Sequence, residues 1–435
     1  LRTWTALAGI LLFAFFAGRT LGIVDAEAEA VVASGGTGWG LHFPEEGKAP
    51  TANASASYLK KYNAYYIEET EERIYACWMT SFYGIGRKKL HELVHMTGSY
   101  REAYQLSGKH VELLLGDAAG KWQQYKETTS PQALWDRLVK KGIRFTYYGA
   151  MDFPQKLMFI PDPPLGLFYL GSLPRGDEKV IAMIGARKYS DYGRCMAEHF
   201  AEKLAKAGIT IVSGMAMGID GISQRMALKV GGKSYAVLGC GVDVIYPQSN
   251  ERLYYELIEK GGVISEVAPG TEPRPMLFPQ RNRIISALSD VVLVVEAREK
   301  SGTFITVDMA LEQGREVYAI PGRCTDGLSM GCNKLLRQGA GIALTPQELL
   351  EDLKWTSDAD KSNKMNLQYE LSDIAGKIYT VLDIMPNTQD EIMDKLRKSE
   401  NYITLPELCR GLLELEMQQI VARTGGQYRL TKPKI

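Results

Sequence analysis

Between residues 143 and 353 the chain alternates two hydrophobic rhythms. Short runs that are apolar at almost every position (VIAMIG, ITIVSG, SYAVLG, GVISE, DVVLVVEA and EVYAIPG) are separated by longer amphipathic segments. A strand with one wet face alternates apolar and polar, whereas a run apolar throughout is covered on both faces. The intervening segments predict helices at roughly Tyr192–Ala207, Asp220–Val230, Glu251–Lys260, Asn282–Leu288 and Thr303–Gln313. Strand, helix, strand in this rhythm predicts an α/β fold built on a doubly wound parallel sheet. Right-handed crossovers then bring every strand's carboxyl end to one edge, where such sheets bind ligands.

The flanks read differently. WTALAGILLFAFFAG (Trp4 to Gly18) has the length of a signal-peptide apolar region, short for a membrane span. The cytosolic character of the rest favours an extension outside the folded protein, and residues 19–57, without a sustained period, are expected to be disordered. Residues 58–142 are expected to form a helical domain, SAM-like or helix-hairpin-helix-like. Its FYGIGRKKLHELVHMTG stretch places a Gly-Ile-Gly turn before a basic helix, which suits either a phosphate cradle or a plain turn with Lys88 and Lys89 in solvent. A polar linker (354–370) precedes a last domain (371–435) whose three helices, Gly-Gly turn and Tyr-containing strand fit a winged-helix-like module. The counterpart of its recognition helix carries Glu407, Glu414 and Glu416 against Arg410, which suits a protein contact at least as well as DNA.

Charge changes the picture only locally. Lys plus Arg and Asp plus Glu each number 51, so an anion-binding surface must be a patch and not a property of the whole molecule. Six cysteines without a CxxC pair suggest reduced thiols, neither a disulfide frame nor a zinc site.

Glycine-rich turns follow the predicted strands: IGARKYSDYG, SGMAMGIDG, LGCGVDVIYPQSN and AREKSGTFIT. Such turns let backbone N–H groups approach an anion at a helix N-terminus. Arg187, Lys188, Arg281, Arg283 and Lys300 come from different loops and should converge on the same edge, the chemistry of a phosphate groove. Neither GxGxxG nor a Walker sequence is present, so no dinucleotide, nucleotide or other cofactor is implied. No Ser-His-Asp set or metal-ligand spacing is visible, and the catalytic and metal sites are expected to be absent. Asp220, at the start of a predicted helix, reads first as an N-cap and only second as a general base.

In order, GARKYSDYG, VSGMAMGIDGISQRMAL, AVLGCGVDVIYPQSN, LFPQRNRIISALSDVVLVVEAREKSGTFIT and ALEQGREVYAIPG resemble the DNA-processing protein A (DprA/Smf) family over about Asp177 to Ala340. The resemblance implies a Rossmann-like domain, not an enzyme, that binds and protects incoming single-stranded DNA and helps load RecA recombinase in natural transformation and recombination. It also implies a cytoplasmic homodimer formed through that domain, with no membrane contact. The DNA groove it implies takes Arg187 from the first turn, which opens on Gly185, and Ser213, Gly214, Ala216 and Gly218 from the second. It adds Phe278, Arg281 and Asn282, then Ser301 and Gly302, beside the Lys188, Arg283 and Lys300 that the converging loops supply. Family members often carry basic residues where this chain has Gln248 and Pro275, so Arg274 beside Pro275 joins the candidates. In this picture Arg281 and Arg283 meet phosphates, Phe278 stacks on a base or walls it off, and Asn282 braces the turn. The alternative is a nucleotide-processing enzyme of Rossmann-like fold, of phosphoribohydrolase type, for which EKSGTFIT supplies only part of the required motif.

Overall fold

The structure, a computed structural model, describes residues 69–106, 108–355, 371–383 and 385–431. The expectations for residues 1–57 and for most of the linker lie outside the described residues.

The described chain enters on six helices: α1 (69–80), α2 (Arg87–Thr97), α3 (Tyr100–Gln105), α4 (Lys109–Leu115), α5 (Ala119–Thr128) and α6 (Pro131–Lys140). They close on an aromatic core in which the Trp78 and Trp122 rings meet edge-on at 4.9 Å, and both side chains are fully buried. The Gly-Ile-Gly turn leads into α2. Lys89 is committed to the Leu115 carbonyl at 2.9 Å, and Arg87 turns toward the sheet domain to bond Asp162 at 2.7 Å. Of the three cations after the turn, only Lys88 is both exposed and without such a bond. This is the arrangement of a helical turn used for packing.

Nine strands follow: β1 (Arg144–Tyr147), β2 (Gly166–Gly171), β3 (Val180–Ile184), β4 (Thr210–Ser213), β5 (Ser234–Val237), β6 (Gly261–Ser265), β7 (Val291–Val294), β8 (Glu316–Ala319) and β9 (Gly341–Ile342). They form one sheet in the order β1-β2-β6-β5-β4-β3-β7-β8-β9. The helices between them are α7 (Gln155–Met158), α8 (Asp191–Lys206), α9 (Ile219–Lys229), α10 (Glu251–Lys260), α11 (Leu277–Leu288), α12 (Thr303–Glu312) and α13 (Met330–Arg337), with α14 (Pro346–Asp352) closing the layer. From β6 through β9 every neighbouring pair is parallel. Strands β3 to β7 are buried at every position, as runs apolar throughout require. The order reverses at β3, with β4 on one side and β7 on the other, a topological switch point.

Two features correct the sequence reading. The sheet is mostly, not wholly, parallel: β2 pairs antiparallel with both β1 and β6. The segments RFTY and GLFYLG lie before the β-α rhythm begins, and without a full crossover helix between them they pair antiparallel. Helix α11 begins at Leu277, five residues ahead of the predicted Asn282. Pro279 reads as a breaker, yet it stands in the first turn, where a missing N–H costs no helical bond. Phe278, Arg281, Asn282 and Arg283 therefore share one helix.

The last described residues form α15 (Asp373–Val381), α16 (Gln389–Lys398), α17 (Leu405–Met417) and a hairpin of β10 (Val421–Thr424) and β11 (Gln427–Leu430). Two of the three acids of α17 have local partners: Glu407 accepts the Thr404 N–H at 2.7 Å and Glu414 accepts the Ser372 N–H at 2.8 Å.

Candidate nucleic-acid interface

Helix α11 points its first turns at the carboxyl ends of β4 and β5. The Arg281 guanidinium donates through Nη1 to the Gly214 carbonyl at 2.9 Å and to the Val237 carbonyl, tying the two strand ends together. A Cβ at Gly214 would stand 2.6 Å from that guanidinium, so any larger residue would have to displace it. Asn282 accepts from Arg281 Nε at 3.2 Å, so it braces the arginine and not a turn. Burial pulls the Arg281 pKa down to about 10, against the opposing charge of Asp220. Asp220 is itself buried, and its pKa is raised by burial while Arg281 and the Gly214 N–H oppose the shift. Helix α9 is capped by Gly218, and the Asp220 carboxylate accepts the Gly214 N–H at 3.1 Å. Asp220 is thus a partner of the turn and of Arg281 and not the helix cap read from the sequence.

Above this floor lies Phe278. Its ring packs on Gly239, where a Cβ would be 2.8 Å away. The Arg187 guanidinium sits over the ring at 5.7 Å, and Tyr246 leans on it at 5.6 Å and 33°. Gly218, at φ 85°, lies under the Arg187 turn with a Cβ position 2.6 Å from the Arg187 carbonyl, so only glycine fits. Arg187, Gly214, Ala216, Phe278 and Arg281 from three chain segments thus line one pit, with Tyr246, Met217 and Leu238 completing it. The pit holds about 20 Å³, the space of one water.

The comparisons with known proteins point the same way. A sequence profile described as "DNA recombination-mediator protein A" matches residues 144–354. Protein Smf of Escherichia coli K12 is 38% identical over 283 residues, which cover 63% of this chain and 74% of that protein. DNA processing protein DprA of Streptococcus pneumoniae R6 is 38% identical over 254 residues, covering 56% of this chain and 88% of that one. This chain belongs to the DNA-processing protein A (Smf) family. The X-ray structure of DNA processing protein A from Streptococcus pneumoniae superposes with a TM-score of 0.58 at 32% identity, covering 64% of this chain and 97% of that one. As a member of this family the chain is a DNA recombination mediator.

Not every candidate residue reaches the pit of this family member. Arg283 does not: its Nε bonds Asp162 at 3.0 Å and its Nη2 bonds Glu266 at 2.6 Å, with the residue 5% exposed. Its expected phosphate contact is corrected, since both carboxylates already hold it. Ser213 is fully buried and donates to the Met183 carbonyl at 2.7 Å, which fastens β4 to β3 and leaves no hydroxyl for a ligand. Arg281, at 7% exposure, is the floor of the pit and not a free cation. Gly185 packs on the Glu296 carbonyl, where a Cβ would be 2.8 Å away. Lys188, Arg274 and Lys300 are exposed, and Ser301 and Gly302 open α12, with Ser301 Oγ accepting the Thr303 N–H at 3.2 Å. None of these five lines the pit.

The sequence reading missed Tyr246 and Glu296. Tyr246 lies in the quoted LGCGVDVIYPQSN turn, whose aromatic residue was signal enough. Glu296 is buried and clamps the Arg187 turn at both ends: its backbone carbonyl accepts the Ala186 N–H at 2.7 Å, and its carboxylate accepts the Ser190 N–H at 2.9 Å and the Ser190 hydroxyl. Burial raises its pKa, and the Ser190 bonds oppose the rise.

Proposed function

We propose that this family member binds single-stranded DNA across the pit at the carboxyl edge of the sheet, protects incoming strands and helps load RecA recombinase in natural transformation and recombination. The observation that carries the proposal is the convergence of Arg187, Phe278 and Arg281 at one pit, lined by glycines that allow their close approach. An exposed arginine beside exposed apolar side chains, with Tyr246 at 40%, Met217 at 52% and Met276 at 62%, suits a strand whose bases are unpaired. A duplex presents mainly phosphates and groove edges.

We assign no catalytic step to this edge. Its two buried carboxylates, Asp220 and Glu296, are bonded to the turns around them, and nothing favours the phosphoribohydrolase alternative. The C-terminal helices and hairpin are proposed as a winged-helix-like module, supported by the exchange of backbone hydrogen bonds between Asn387 and Tyr428 at 2.8 and 2.7 Å. The six leading helices are proposed as a separate helical domain, and the working form as a cytoplasmic homodimer joined through the sheet domain. A filter-binding titration of single-stranded against duplex DNA across salt tests the reading. Preferential, salt-dependent single-strand binding is expected, and equal or absent binding overturns it.

A further inference from the structure

We propose that Tyr246 is the platform on which a base of the bound strand stacks, with Phe278 as the wall that backs it. The inference rests on the reading that a single strand lies across this pit. Phe278 is hemmed in by the Arg187 guanidinium at 5.7 Å, by Gly239 and by the Tyr246 ring at 5.6 Å. Phe278 lines a pit that encloses only about 20 Å³, so its ring is less open to a base than a ring on the rim. Tyr246 is different: it is 40% exposed on the rim, and its hydroxyl has no partner among the described residues. Its inner side leans on Phe278 at 33°, which leaves the rest of the ring toward solvent.

The loop that carries it is held in place. Asn250 donates to the Met215 and Ala216 carbonyls at 2.9 and 3.2 Å and accepts from Arg225 at 2.9 Å. The Tyr254 hydroxyl bonds the Val242 carbonyl at 2.6 Å on the loop's other limb. A ring fixed before the ligand arrives loses little freedom on binding. Stacking is tolerant of sequence because every base has a π face, so the chemistry read here is an unpaired base and not a particular one. Arg187, 5.7 Å over the Phe278 ring, is placed to take the adjoining phosphate.

The test compares a thymidine oligonucleotide with an abasic strand of equal phosphate count, by fluorescence anisotropy, on the full chain. The wild type is expected to prefer the base-bearing strand by about tenfold or more. Tyr246→Ala should lose most of that preference with its salt slope unchanged, and Tyr246→Trp should keep it. Tyr246→Leu, which preserves apolar bulk against Phe278 without a π face, should behave as the Ala variant does and guards against a simple folding defect. Retention of the preference by Tyr246→Leu, or its loss in Phe278→Leu alone, overturns the assignment. A wild type that binds both strands equally also overturns it, while leaving the phosphate groove standing. A wild type that binds neither strand defeats the groove itself.

Discussion

Arg281 and Arg283 stand two residues apart on one helix and live in unlike surroundings. Two helical steps turn a side chain by about 200°, which sends the pair to opposite faces of α11. Arg281 enters the sheet's carboxyl edge, where it bonds neutral carbonyls and faces the buried Asp220. Arg283 enters the seam with the leading helices, where Asp162 and Glu266 accept from it and from Arg87 alike. The first region is built around a cation short of full compensation, the second around two cations and two anions. An arginine with spare positive field beneath an open pit suits an anionic ligand nearby, whereas one enclosed by carboxylates is spent on packing. One helix thus ties the leading helices to the sheet with one face and floors the pit with the other.

The sharpest break in this comparison is expected from Arg281→Ala. It strips the Gly214 and Val237 carbonyls of their donor and leaves Asp220 buried without its opposing charge. Each buried acceptor left without its donor costs about 1–3 kcal/mol, and two are stranded here. Chemical denaturation should show that loss, with DNA binding falling only as a consequence. An Arg281→Ala protein of wild-type stability that has lost binding would return this residue to the role of a direct phosphate contact.

Arg283→Ala should cost less, about 1–3 kcal/mol, because Arg87 stays on both carboxylates. The seam also has a pH signature. Burial pushes the Asp162 carboxyl up, but the Arg87 hydrogen bond and the Arg283 charge outweigh it and hold its pKa below the ordinary 3.8. A depressed carboxylate stabilises the fold above its unfolded pKa and loses that contribution as pH falls through the lowered value. Stability of Asp162→Asn should therefore decline less than wild type between pH 4 and lower values, about the ordinary carboxylate range. Parallel acid denaturation curves for the two proteins would remove Asp162 from the seam's electrostatics.

How much of this was legible beforehand follows from what each pattern reports. Apolar runs report burial on both faces, so strands β3 to β8 and the helices between them were readable to within a few residues. They do not extend to RFTY and GLFYLG ahead of that rhythm, which is why β1 and β2 and their antiparallel pairing were not foreseen. The glycines announced close approach but not what approaches: Gly214 admits the Arg281 side chain and Gly239 the Phe278 ring, where the sequence suggested an anion. Arg187 and Arg283 look alike as letters, and only the third dimension supplies Asp162 and Glu266, distant in the chain, to neutralise one of them. The Gly-Ile-Gly turn left two readings open for the same reason, since Arg87 finds its acids among the residues of the sheet.

The smallest expected change in stability, and the one that sharpens the comparison most, belongs to Arg187→Ala. Arg187 is exposed and has no ion pair among the described residues, and its guanidinium lies over the Phe278 ring at 5.7 Å. Loss of an exposed cation–π contact is worth about 0.5–1 kcal/mol, so the melting temperature should scarcely move, unlike that of either α11 variant. Binding should report the difference. One phosphate contact fewer on a single strand flattens the slope of log affinity against log salt by about 0.7. The weakening should be uniform across sequences, since phosphates carry no base information. Tyr246→Ala has the complementary signature, a base-dependent loss at constant slope, so the two variants divide the groove into a charge step and a stacking step. Should Arg187→Ala bind single strands with wild-type affinity and slope, the cation over Phe278 is packing only, and the strand takes another path along the sheet's edge.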